Sequence, residues 1–162
     1  MGKESFFVNL HLSGIHNYFE LEQALKDSFT IAPYYLLQKG MLFTRHIRLN
    51  NKLVINSIIE LSWDSSYTIS MQGCFSCYKQ ALEIICEVVS LFKNKSNLIF
   101  IHYRDVVLPV DKVNDDLFQL LYDAYYEKYD SFRKAFSNIE ESVLPGSYFY
   151  ERYKKNNKSK PI

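Results

Sequence analysis

Glycine is scarce in this chain: there are five in 162 residues, and no two lie within three residues of each other. A P-loop places two glycines around a phosphate and a dinucleotide fingerprint uses three, so both phosphate-cradling motifs are excluded, as is the Gly-x-Ser-x-Gly elbow of many hydrolases. Cysteine is equally thin, at three. An odd number without an export signal predicts reduced thiols rather than a disulfide framework. No apolar run approaches the roughly 18 residues of a membrane helix. Met1 to Ser5 also lacks the basic start and apolar run of a secretory leader, so the expectation is an unexported cytoplasmic protein with no membrane contact. Histidine occurs four times, at His11, His16, His46 and His102, and no two share a metal-ligand spacing. Neither a metal nor a cofactor is expected.

Net charge is also nearly absent, at +1, and its distribution is uneven. Lys154, Lys155, Lys158 and Lys160 fall in the last nine residues, so residues 1–153 carry about −3. The expected organisation is one globular domain over residues 1–153, followed by a disordered lysine-rich tail over 154–162. A body of that charge does not predict nucleic-acid binding, which would fall to the tail if it occurred at all.

What the chain has in abundance is aromatic side chains, 16% of it. Phe118, Tyr122, Tyr125, Tyr129, Phe132 and Phe136 recur at alternating spacings of four and three. That places six rings in one seam of a single helix. Leu117, Leu121 and Ala124 form a second row beside it, leaving Gln119, Asp123, Tyr126, Glu127 and Asp130 for solvent. The seam is expected to be core, and Tyr126 to stand outside it among acids.

Alternation from Phe6 to Ser13 predicts a half-buried strand with Phe6, Val8, Leu10 and Leu12 inward and Phe7, Asn9 and His11 outward. Asn17 and Glu20 have capping-box spacing before a helix carried by Tyr18, Leu21, Leu25 and Phe29, which Pro33 ends. A hairpin follows, with arms at about 41–49 and 53–63 joined at Asn50-Asn51, and then a short arm at Tyr67, Ile69 and Met71. Residues 75–92 carry an apolar arc wide enough for a mostly buried helix. Leu98 to His102 predicts a strand buried on both faces, Pro109 a loop, and Asp115-Asp116 the start of the aromatic helix. The order β-α-β-β-β-α-β-α defines the expected class: an α+β two-layer sandwich with helices on a mainly antiparallel sheet.

Two groups of residues offer chemistry. Cys74-Phe75-Ser76-Cys77 resembles the thioredoxin-type redox motif over four residues and sits where a helix dipole would favour a thiolate. Against that, Cys77 shares a helical row with Ala81, Ile84 and Val88, which predicts structural packing. Asn9, His11, His46 and Arg48 would line one polar patch if their strands were neighbours, suited to an acidic partner surface or a small anion. The element order is similar to that of the N-acetyltransferase superfamily, whose acyl-carrier pyrophosphate rests on amides at the start of the buried helix. At that point Gln72-Gly73-Cys74-Phe75-Ser76 departs from the family's signature. The order also resembles small bacterial secretion chaperones, which are more acidic than this chain.

No catalytic set is assembled, and the expected function is binding. The leading expectation is a bacterial cytosolic protein-binding module of the immunity type, neutralising a toxin domain, with Asn9, His11, Arg45, His46, Arg48 and Tyr126 as contact residues. The alternatives are an acyltransferase-like or thiol-based enzyme, and a chaperone-like or structural subunit.

Overall fold

The computed structural model describes residues 5–28, 36–37, 40–49, 52–63, 67–75 and 78–135, and within 36–61, at Trp63 and at Cys74 most side chains lie outside that description. The chain order is β1 (Ser5–Leu12), α1 (Tyr18–Ser28), β2 (Leu36–Leu37), β3 (Gly40–Leu49), β4 (Lys52–Trp63), β5 (Thr68–Cys74), α2 (Tyr78–Asn94), β6 (Leu98–Tyr103), β7 (Val106–Pro109), a 3-10 turn at Val110–Lys112, and α3 (Leu117–Ala135). Among the described residues one seven-stranded sheet forms, in the order β2-β3-β4-β5-β1-β6-β7, with every neighbouring pair antiparallel. The molecule is the expected α+β two-layer arrangement.

The alternation in β1 acts as expected. Phe6, Val8, Leu10 and Leu12 are buried under the helices, while Phe7 is 47% exposed on the other face. Because β5 and β6 both run antiparallel to β1 and flank it, they are parallel to each other, and α2 joins them across the inserted strand. This split β-α-β unit lays α2 over the middle of the sheet. Its wide apolar arc is consumed there: Tyr78, Ala81, Leu82, Ile84, Ile85, Val88, Val89 and Phe92 are all buried. Contact is close enough to demand a missing side chain. A Cβ on Gly73 would lie 2.7 Å from the Phe6 ring and 3.0 Å from Ala81 Cβ.

Helix ends follow local rules. Asn17 Oδ1 accepts the Glu20 amide at 2.8 Å, and the Glu20 carboxylate reaches back to the His16 amide at 3.0 Å, one residue before its usual target. At the end of α2, Ser96 takes φ +59°, with its amide on Lys93 O and that of Asn97 on Phe92 O. That is a Schellman cap with serine where glycine is usual. Asn97 then bonds Ser13 twice, through Ser13 N to Asn97 O at 2.7 Å and Asn97 Nδ2 to Ser13 O at 2.8 Å, tying the end of β1 to the start of β6.

Four expectations are corrected. β6 is not buried on both faces: Ile99 is 45% exposed, because the described helices cover only one side of the sheet and a register shift at His11/Leu12 leaves Ile99 without a partner on β1. Pro109 closes a strand rather than lying in a loop, and β7 pairs with β6 through a two-residue turn at Arg104-Asp105 that lacks the usual glycine or asparagine signal. The hairpin expected at 41–49 and 53–63 spans Gly40–Leu49 and Lys52–Trp63 and is not regular, since the β3–β4 register shifts between Arg45 and His46. The dipeptide strand β2 is too short to leave a periodic signal. Phe29, Pro33, Asn50-Asn51, Phe136 and the segments 136–153 and 154–162 lie outside the described residues.

Candidate functional site

The sheet face turned away from the helices carries the polar residues of β1. Asn9 stands opposite Ser70 on one side and His102 on the other, and His11 opposite Thr68 and Phe100. The His11 ring lies on Phe100 with centroids 4.1 Å apart and planes 19° apart, and its Nδ1 is 3.2 Å from Thr68 Oγ1. Packing of this kind fixes the imidazole. The patch pictured from sequence does not form, because β4 and β5 separate β1 from β3. Three strand spacings put His46 and Arg48 about 14 Å from the line of β1. The side chains of Arg45, His46 and Arg48 lie outside the described residues; their backbone pairs with Ser57, Ile55 and Leu53.

A different constellation is built on α3. Its buried stripe runs through Leu117, Leu121, Tyr125, Tyr129 and Phe132, between the two rows read from the sequence, while Phe118 and Tyr122 are only half-buried. The reason is geometric. α3 packs in the angle between α2 and the sheet, so the inner flanks of both rows face inward and the outer flank of the aromatic row emerges. Tyr78, the first residue of α2, fills that angle: its ring lies 5.1 Å from Tyr122, 4.6 Å from Tyr129 and 5.2 Å from Phe6. Its hydroxyl donates to Leu121 O and Tyr122 O. Tyr125 secures the sheet side, donating to Phe7 O and accepting from the Arg104 amide at 3.2 Å. Arg104 itself adopts φ +50° and places its guanidinium on Ala124 O at 2.7 Å, so the β6–β7 turn is clamped to the helix at two points. Burial raises the pKa of Tyr78 and of Tyr125 above the ordinary phenol value, which keeps both hydroxyls protonated as donors.

On this rigid base stands Tyr126, 40% exposed, with its ring 5.7 Å from Tyr122 and 6.2 Å from Tyr129. Phe118, 6.2 Å from Tyr122, extends the aromatic row along the helix. Helical spacing sets Asp116, Asp123 and Glu127 in a line beside Tyr126, with Leu120, 41% exposed, on their far side. Asp123 accepts from Gln119 at 2.8 Å. The last turn has the opposite sign: hydrogen bonds from Lys134, and then from Arg133, hold the Asp130 carboxyl below its usual range, and Arg133 lies 5.8 Å over the Tyr129 ring. The ridge is therefore an aromatic strip with carboxylates along most of its length and cations at its end.

The thiols offer no reactive centre among the described residues. Cys74 ends β5 with its side chain outside the description, and Cys77 lies outside it altogether. Cys86, half-buried on α2, is pushed up to about 12 by burial and by Glu87 and Glu83, so it stays a thiol at neutral pH. No group of three or more His, Cys, Asp or Glu side chains among the described residues converges as metal ligands, and no described helix is long and apolar enough to cross a membrane. At the start of α2, where an acyl-carrier pyrophosphate would rest in the acetyltransferase arrangement, Tyr78 is fully buried beneath the rings of α3. Tyr126 is exposed outside the seam as its position in the sequence predicts, but the residues beneath the helix were not foreseen: Tyr78 and Arg104 have no motif, and only the docking of α3 gives them a role. Comparison with family models, curated proteins and solved structures found no match to this chain.

Proposed function

We propose that this chain is a protein-binding module of a bacterial cytosol, an immunity-type protein that neutralises a toxin domain, and that it makes contact through the outer ridge of α3. One observation carries the reading: Tyr126 is an exposed ring packed on Tyr122 and Tyr129, bordered by Asp123 and Glu127. Tyrosine at the centre of an interface supplies large contact area with few rotatable bonds, and a base already ordered before binding lowers the entropy lost on association. The carboxylates beside it favour a partner with a basic surface and speed the encounter. Asn9, His11, Arg45, His46 and Arg48 do not share this surface: β1 and β3 belong to the sheet, while Tyr126 stands on the outer side of the helical layer.

Tagged protein recovered from its native cell identifies the partner, and calorimetry with that purified partner measures the affinity. The expected result is a dissociation constant below about 10 μM, weakened by about 2 kcal/mol or more in Tyr126→Ala. A partner that binds the alanine variant equally well removes α3 from the reading, and the absence of any protein bound below that limit removes the function.

A further inference from the structure

We propose that the groove between α1 and the C-terminal end of α2 is a second binding site, for an arginine side chain presented by a peptide or protein. The groove is shallow and open, with a volume of about 680 Å³, and Phe92 forms part of its floor. It shares no residue with α3.

Three features select a guanidinium. Glu20 and Asp27 both line the groove, seven residues apart on α1, which sets them about 10 Å apart on one side of the helix. Each already uses one oxygen, Glu20 Oε2 for the His16 amide and Asp27 Oδ1 for the Gln23 amide group. The second oxygen of each has no partner among the described residues and can receive an N–H donor. Lys95 is the one cation among the described residues of the lining, and α2 ends beside it at Asn94. The carbonyl end of that helix adds partial negative charge to the two carboxylates. Finally Phe19, 73% exposed on the lip, offers a bare aromatic face. A planar guanidinium stacks on such a face while its fork engages a carboxylate, which a hydrated ammonium does less well. Asn97 and Gln23 supply side-chain carbonyls for the remaining donors. The walls are preformed: Asn17 caps α1, and the two hydrogen bonds between Asn97 and Ser13 hold the opposite side.

The test is a titration of the isotope-labelled full chain with acetyl-Gly-Arg-Arg-Gly-amide, followed by amide chemical shifts. Saturable shifts are expected at Glu20, Gln23, Asp27 and Asn97, with a dissociation constant of about 1 mM or tighter. The double variant E20Q/D27N keeps an acceptor oxygen for both internal hydrogen bonds and removes both charges, so it should fold and weaken binding about tenfold or more. K95E, which removes the opposing cation, should tighten it. A peptide with citrulline in place of each arginine keeps the shape without the charge and should not bind. Tyr126→Ala should leave the titration unchanged, which separates this site from the α3 ridge. No saturable shift up to about 10 mM, shifts centred elsewhere, or equal affinity in E20Q/D27N or for the citrulline peptide would each overturn the assignment.

Discussion

Replacing Tyr125 by alanine removes a side chain that ties α3 to both β1 and the β6–β7 turn. The ring is buried, with its centroid 5.2 Å from that of Phe6, and its hydroxyl serves Phe7 O and the Arg104 amide. Loss of a buried aromatic ring leaves a cavity and costs about 3–5 kcal/mol. Tyr125→Phe keeps the ring and removes only the two hydrogen bonds, at about 1 kcal/mol each, so it should cost about 1–3 kcal/mol. Part of that cost falls on Arg104, whose left-handed backbone is held in place by the bond from its amide. Tyr126→Ala, one residue along on the solvent side, should cost less than about 1 kcal/mol because it opens no internal cavity. Urea unfolding with linear extrapolation separates the three, and an unchanged slope would confirm that the midpoint shifts report stability. A loss below about 1 kcal/mol in Tyr125→Ala would mean that α3 is not docked on the sheet as described. The ridge would then lose its rigid base, and the functional proposal with it.

Gly73→Ala forces a Cβ against the buried Phe6 ring and Ala81, and should destabilise by about 1–3 kcal/mol in the same assay. Ser96→Gly relieves a left-handed residue at the end of α2, and should stabilise by up to about 1 kcal/mol. Alkaline pH should unfold the chain. Tyr78 and Tyr125 hold their protons more tightly folded than unfolded, so the stability they contribute is complete below the ordinary phenol value near 10 and falls as pH rises beyond it. Phenolate absorbance should accordingly show these two tyrosines ionising together with loss of far-ultraviolet dichroism; their ionisation in a chain that stays folded would refute the burial assigned to them.

Several elements were legible because their signals are local. β1 needs only its alternation, α1 only its cap and apolar face, and α2 only an apolar arc too wide for a surface helix. β7 was not legible, because Arg104 holds its turn with φ +50° through bonds to α3 rather than through a turn-forming residue. Nor was the exposure of Ile99: an apolar run has the same appearance whether one face of a sheet is covered or two.

By itself the sequence determined which residues are inward in β1 and α2, since that depends on a repeat of two or 3.6 positions along the chain. It determined that Phe118, Tyr122, Tyr125, Tyr129 and Phe132 would share one helix, and that Tyr126 would stand outside their seam among acids. Tertiary structure decided everything that depends on which elements become neighbours. It set β1 between β5 and β6, which keeps His11 and Asn9 away from the strand of His46 and Arg48. It also drew the line of burial on α3 between the aromatic row and the leucine row, because α2 and the sheet meet that helix from two directions. Periodicity along a chain carries no information about where a second surface will arrive, and that arrival is what left Tyr126 as an exposed ring on a fixed base.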